Sequence, residues 1–149
     1  MTTYAIRLQE TGKSIPAASS LLEAGLAVGE FVLLLYASLL AKRIKRKALW
    51  IERQLKNLDD VPDEDLPMIQ EVAANLGKAA TNCGSSAERC REIQTHGTPH
   101  SVGKRLLMHA LAKDLEWLEE RFEDLSETLA LSAHKPFTDL VAKELGALG

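Results

Sequence analysis

The sequence LPMIQEVAANLGKAATNCGSSAERC, residues 66–90, contains the most regular helical pattern in the chain. Apolar or small residues recur in it at alternating spacings of four and three, which is the period of one face of an α-helix. This face, the small-residue seam, consists of Ile69, Ala73, Leu76, Ala80, Cys83, Ala87 and Cys90. Because most of its side chains are small, a neighbouring helix can approach it closely.

A complementary seam follows the break HGTP at residues 96–99, where Thr98 and Pro99 form a helix-start signature. Larger side chains repeat there with the same spacing. This Leu-rich seam consists of Met108, Leu111, Leu115, Leu118, Phe122, Leu125 and Leu129. Large side chains opposite small ones interdigitate, so we predict two long antiparallel helices, near 66–95 and 99–133.

The N-terminal half is also predicted to be helical. No proline interrupts residues 17–58, and Pro16 suits the first turn of a helix. This stretch could therefore be one continuous helix. Its second half carries a further seam at Ile44, Ala48, Ile51, Leu55 and Leu58. The acidic segment DDVPDEDLP, residues 59–67, is the clearest break in the chain.

Together these patterns predict an all-α fold, an up-and-down bundle of three to four long helices plus a short C-terminal helix. That short helix would present Phe137, Leu140, Val141, Leu145 and Leu148 on one face. The 149 residues fit one domain. We place it at residues 16–149, after a polar N-terminal lead at residues 1–15.

Charge is distributed unevenly along the chain. Residues 1–56 carry nine basic and four acidic side chains, whereas the remainder carries nine basic and seventeen acidic ones. This asymmetry predicts a basic surface for anions at one end. Helices that pack by complementary charge would produce the same asymmetry, so both interpretations stay open.

The two cysteines are predicted to be free thiols. Cys83 and Cys90 lie about 10 Å apart along one helix, and a disulfide needs Cα atoms closer than about 7 Å. A reducing compartment is therefore expected. The N-terminus also lacks the basic-then-apolar order of a signal peptide. We expect a cytoplasmic protein with conditional membrane association.

The most unusual segment runs from Ala24 to Ala41, eighteen residues with one charge, Glu30. A transmembrane helix needs about 20 apolar residues, so the segment is of borderline length. Gly25 and Gly29 form a GxxxG pair, which is a close-packing motif of membrane helices. Two interpretations are open: a fully buried central helix of the bundle, or a segment that meets a bilayer.

A basic run, KRIKRK at residues 42–47, follows the apolar segment directly. A Lys/Arg cluster beside an apolar helix is typical of proteins that bind anionic lipid headgroups. The candidate lipid-binding residues are Lys42, Arg43, Lys45, Arg46 and Lys47. A solvated helix face is the alternative. Nucleic acid is not expected as a partner, because the net charge is −3 and no aromatic residues interleave the run.

Signals of catalysis are sparse. The histidines form no HExxH and the cysteines no CxxC, and there is no P-loop or nucleophile elbow. We therefore expect no enzyme activity, metal or cofactor. One pattern resembles the Arg-x4-6-His motif of HEPN-type ribonucleases, in which an arginine and a histidine act on the scissile phosphate. Here Arg91 or Arg89 would pair with His96, although solvent-facing charges are the simpler interpretation.

The order of segments over residues 17–133 resembles the helical cell-death executioner domains. These comprise the four-helix domain of mixed lineage kinase domain-like protein, the fungal HeLo domains and the coiled-coil domains of plant helper immune receptors. The resemblance runs from SSLLEAGLAVGEFVLLL (19–35) through the basic run and the acidic loop to KDLEWLEERFEDLSETLALS (113–132). It implies a homo-oligomer that binds anionic lipids and permeabilises membranes. The membrane-inserting or pore-facing residues would be Glu23, Glu30, Phe31, Leu33, Leu34 and Leu35.

The leading functional prediction is therefore a non-enzymatic, membrane-active bundle that self-associates and contacts anionic lipids. The alternative from another class is a soluble bundle that serves as a protein-interaction module. A ribonuclease is the weakest of the three hypotheses.

Overall fold

The computed structural model describes residues 2–96, 102–134 and 142–147. Four long helices account for most of them: α1 (Thr3–Val28), α2 (Phe31–Gln54), α3 (Leu66–His96) and α4 (Val102–Ala133). Two 3₁₀ turns, Leu55–Asp60 and Asp63–Asp65, connect α2 to α3. A short helix, α5, covers residues 142–147. No strand occurs in the described residues, and the prediction of an all-α helical bundle is confirmed.

Side-chain contacts fix the direction of each helix. Tyr4 donates a hydrogen bond to the backbone oxygen of Gln54 at 3.1 Å, so α1 and α2 are antiparallel. The Ser126 hydroxyl donates to the backbone oxygen of Ala73 at 2.6 Å, so α3 and α4 are antiparallel too. Asn82 of α3 bonds Ser19 of α1, while Gln9 bonds Glu71, which makes α1 and α3 parallel. The topology is therefore up-down-up-down.

The helices form a square in which α1 packs against α2 and α3, and α4 packs against the same two helices. α2 and α3 consequently occupy diagonally opposite corners of the square. The linker at residues 55–65 connects them at one end of the bundle. The opposite end holds the α1–α2 turn, the C-terminus of α3 and the N-terminus of α4. We call this the turn end.

The two seams that the sequence predicts form the centre of the core. Every residue of the small-residue seam and of the Leu-rich seam is buried, with at most 4 % of its surface exposed. α3 and α4 pack closely where Gly84 faces Glu119, because a Cβ on Gly84 would lie only 2.8 Å from the Glu119 carboxyl group. Small residues on α3 thus admit the bulkier α4, as expected.

The polar lead expected at residues 1–15 is instead the first half of α1. The helix begins at Thr3, and the Thr2 hydroxyl caps it by accepting a hydrogen bond from the backbone N–H of Ala5 at 3.1 Å. The buried face of α1 has spacings of three and four from end to end: Ala5, Leu8, Gly12, Ile15, Ser19, Leu22 and Leu26. This seam is easily missed, since Gly12 and Ser19 are not hydrophobic. Pro16 consequently lies inside α1.

The apolar segment is not one helix, and the continuous helix considered for residues 17–58 is wrong. α1 ends where Gly29 adopts a left-handed conformation, φ +76°, a region that glycine enters without steric cost. Glu30 is extended, and α2 begins at Phe31. Gly25 therefore lies in the last turn of α1, and Gly29, its GxxxG partner, caps the same helix. None of the described helices has the length and hydropathy needed to cross a membrane.

Two other predicted features fall partly outside the described residues. Thr98 and Pro99, the expected start of α4, lie outside them, and α4 begins at Val102 in the part described. Of the expected C-terminal seam only Leu145 is described. It belongs to α5 and is exposed.

Candidate functional site

α2 has two faces of different character. One face packs into the core through Leu34, Ala37, Leu40, Ala41, Ile44, Ala48 and Ile51. At 100° per residue, the exposed residues of α2 lie on the opposite side, at positions 31, 32, 35, 36, 39, 42, 43, 46, 49 and 53. We call this side the outward face of α2.

The first part of the outward face is apolar. Phe31, Val32 and Leu39 expose 50 %, 73 % and 60 % of their surfaces. Together with Val28 at the end of α1 they form the apolar patch, which comprises Val28, Phe31, Val32, Leu35, Tyr36 and Leu39. Nearly half of the exposed large apolar side chains in the described residues lie within this short stretch. Such concentration is typical of an interaction surface rather than of scattered surface residues.

The next part of the same face is basic. Lys42, Arg43 and Arg46 are exposed, and we call them the basic triad. Within the described part of the chain, none of the three makes a hydrogen bond, an ion pair or a ring contact. Their charges are therefore available to an external anion, directly beside the apolar patch.

The other two residues of the basic run face neighbouring helices. The Lys47 ammonium donates to the Ser14 hydroxyl at 2.8 Å, which links α2 to α1. Lys45 lies 3.9 Å from the Asp114 carboxylate and 4.9 Å from the centroid of the Trp117 ring, which links α2 to α4. The structure thus divides the five candidate lipid-binding residues into an outward triad and an inward pair.

The candidate membrane-inserting residues divide in a similar way. Phe31 and Leu35 belong to the apolar patch, whereas Leu34 is fully buried in the core, and Leu33 and Glu23 are half-buried. Glu30 is exposed at the turn, and its side chain makes no capping hydrogen bond. Sequence reasoning missed Val28, Val32, Tyr36 and Leu39. A helical projection with Leu34, Ala41 and Ile44 set inward would have placed the three that belong to α2 on the opposite side.

The arginines of the ribonuclease-like pattern are paired with carboxylates. The Arg91 Nε and Nη2 atoms donate to Glu116 at 3.1 and 3.3 Å, and Nη1 lies 3.1 Å from Nδ1 of His109. Arg89 pairs with Glu92 at 3.2 Å. The side chain of His96 lies outside the described residues. Across the described ranges, no group of His, Cys, Asp and Glu side chains is arranged to hold a metal ion.

Both cysteines are buried free thiols with no activating environment. Burial raises the pKa of Cys83 to about 12, and the nearby carboxylates of Glu119 and Glu23 add to the shift. Burial likewise raises the pKa of Cys90 to about 12, although the Arg91 charge opposes part of this effect. Nucleophilic thiol chemistry requires the thiolate, so neither cysteine is a candidate nucleophile near neutral pH.

No protein-family model matches the chain, and neither curated proteins nor solved structures give a significant match. The resemblance to cell-death executioner domains therefore stays a prediction. The outward face of α2, with its apolar patch and its basic triad, is the candidate site.

Proposed function

We propose that this protein is a non-enzymatic bundle that binds anionic membranes through the outward face of α2. One observation carries the proposal: an exposed apolar patch and an unpaired basic triad follow each other on the same face of one helix. A lipid surface presents hydrocarbon directly beneath anionic headgroups. The face therefore matches a membrane in both polarity and charge.

The free energies expected from the triad and the apolar patch are sufficient for reversible membrane binding. Each basic side chain near an anionic surface contributes about 1 kcal/mol, so the triad contributes about 3 kcal/mol. A large apolar side chain gains up to about 1.5–3 kcal/mol on full burial, and the six patch side chains are already partly covered by the bundle. Neither contribution is strong alone. The apolar term adds to binding of any lipid surface, whereas the triad supplies the preference for anionic over neutral lipid.

Self-association and membrane permeabilisation are implied by the resemblance to executioner domains and remain further proposals. Glu30 lies at the turn beside the apolar patch, where it could face water or a polar path after insertion. The alternative function, a soluble interaction module, would use the same face to dock a protein. Binding to vesicles made of lipid alone would support a lipid partner, because such vesicles offer no protein to dock.

The test of the proposed function is flotation of the purified chain with vesicles of phosphatidylcholine alone or mixed with phosphatidylserine. We expect the protein to float with the mixed vesicles at low salt, and binding to weaken as salt screens the triad. Equal binding to both vesicle types would contradict the role of the triad. No binding to either by folded protein would contradict the function, and the interaction module would then lead.

A further inference from the structure

The apolar patch and the basic triad are separated along the axis of α2, not around it. A helix that lies flat on a membrane carries its apolar and charged residues on opposite faces. The face of α2 opposite to the patch is the protein core, so α2 cannot use that arrangement. Its outward face instead changes from apolar at Val32 to basic at Lys42 as one moves away from the turn.

α1 also loses its exposed charge toward the turn. The hydrogen bond between Lys47 and Ser14 places these two residues side by side. From Ser14 to the turn, α1 carries one charged residue, the half-buried Glu23. Its exposed residues in this part are uncharged: Ala17, Ser20, Leu21, Ala24, Ala27 and Val28. Both helices of the α1–α2 hairpin thus lose exposed charge toward the turn, with Glu30 at the apex as the exception.

The other half of the turn end stays charged. On α3, Arg89 and Glu92 form an exposed pair, and Arg91 pairs with Glu116 of α4. Arg105 near the start of α4 is exposed as well. Entry into hydrocarbon is costly for charged side chains. The hairpin half of this end has one exposed charge, Glu30, and is therefore better suited to hydrocarbon than the α3–α4 half.

From these placements we infer that the α1–α2 hairpin enters a single lipid leaflet turn first, to a depth limited by the basic triad. This inference rests on the proposed function. Phe31 and Lys42 are separated by about 16 Å of helix, and half of a hydrocarbon core is about 15 Å. With the triad at the headgroups, which lie outside the hydrocarbon, the turn of a tilted hairpin reaches about the middle of the bilayer. Because the charged α3–α4 half stays in water, the bundle tilts and the hairpin enters the lipid first.

The buried native thiols make a site-specific depth measurement feasible. Cys83 and Cys90 are protected in the folded protein, so a thiol reagent labels an added surface cysteine selectively. We would attach an environment-sensitive fluorophore in turn to Val32→Cys, Leu39→Cys and Leu49→Cys along α2. Ala24→Cys reports on α1, and Lys113→Cys on the exposed surface of α4. Each variant is bound to phosphatidylcholine–phosphatidylserine vesicles that carry a nitroxide near the headgroup or deep in the acyl chain.

End-on insertion predicts a gradient of depth. Deep nitroxides should quench the labels at 32 and 24 most, the label at 39 should respond to shallow nitroxides, and the labels at 49 and 113 should stay in water. Equal depth at 32, 39 and 49 would mean that the bundle lies flat, and would overturn the inference. Bound protein with no label in hydrocarbon would overturn it as well, while leaving anionic membrane binding intact. Failure of every variant and of the wild type to float would overturn both.

Discussion

The backbone N–H of Gly29 donates a hydrogen bond to the carbonyl oxygen of Gly25 at 3.2 Å, and this bond closes α1. The left-handed conformation of Gly29 then turns the chain, so that α2 runs back along α1. Without this turn, residues 24–41 would form one apolar helix. With it, the segment is divided between a core face and the exposed apolar patch.

Replacing Gly29 by alanine should therefore destabilise the bundle. A left-handed conformation costs a residue with a Cβ about 1–2 kcal/mol, and chemical denaturation would measure the loss. Gly25→Ala is the matched control. Its Cβ would lie 3.6 Å from the Leu33 oxygen, an ordinary contact, and alanine is the better helix former. A larger loss at Gly25 than at Gly29 would instead support close packing through the GxxxG pair.

Truncation of the Leu-rich seam should be costly. Leu118 and Phe122 are fully buried, and replacing either with alanine should lower the free energy of unfolding by about 2–5 kcal/mol. Leu131→Ala is the control on the same helix, because Leu131 is exposed. That change should stay within about 0.5 kcal/mol. Equal thermal stability of all three variants and the wild type would show that the core is misassigned.

Replacing Glu30 by leucine tests the role of the turn. Glu30 is exposed and makes no side-chain capping bond, so the change should leave folding stability within about 0.5 kcal/mol. Removing a charge beside the apolar patch should strengthen vesicle binding. Glu10→Leu, an exposed position on α1 far from the turn, should not. Flotation of both variants with anionic vesicles measures the difference.

The same Glu30→Leu variant tests permeabilisation. If Glu30 faces a conducting path after insertion, the variant should bind vesicles yet release less dye than the wild type at matched bound protein. If the wild type releases no dye over a broad concentration range while circular dichroism shows that it is folded, the isolated chain does not permeabilise membranes. Permeabilisation would then be contradicted, and the interaction module would lead.

The thiol pKa values predict a dependence of stability on alkaline pH. The folded state holds the protons of Cys83 and Cys90 up to a pKa of about 12, whereas an unfolded thiol loses its proton near its ordinary value. Between these pH values the folded state binds more protons, so stability falls as pH rises. Urea denaturation should show a smaller fall for the Cys83→Ala, Cys90→Ala double variant. Identical pH slopes for both proteins would contradict the thiol assignment.

Most of the core could be predicted from the sequence because its spacing is regular. Ile69 and Leu118 belong to seams of uniformly apolar or small residues, which signal one helix face directly. The seam of α1 is harder to predict, because residues 1–15 are mostly polar and the seam includes Gly12. Gly12 packs closely against Val72 of α3, where a Cβ would lie only 3.1 Å from the valine side chain. Composition alone did not show this contact.

The candidate site was predictable in position but not in orientation. The charge count of the basic run is the same whether Lys45 and Lys47 face the membrane or neighbouring helices. Their inward direction depends on Asp114 and Ser14, which are distant in sequence and come close only in the fold. The exposure of the patch likewise depends on the turn at Gly29, and a run of apolar residues in the sequence does not reveal that turn.

The most direct test of anionic membrane binding through the outward face of α2 compares two variants of equal net charge. One changes the basic triad, Lys42, Arg43 and Arg46, to glutamine. The other changes three exposed lysines elsewhere on the chain to glutamine: Lys56, Lys78 and Lys113. Flotation over a range of lipid concentrations gives the affinity of each variant for phosphatidylcholine–phosphatidylserine vesicles. The triad variant should bind roughly a hundredfold more weakly than the wild type, since it loses about 3 kcal/mol. The control should bind almost as well as the wild type, and an equal loss in both variants would contradict a specific role for this face.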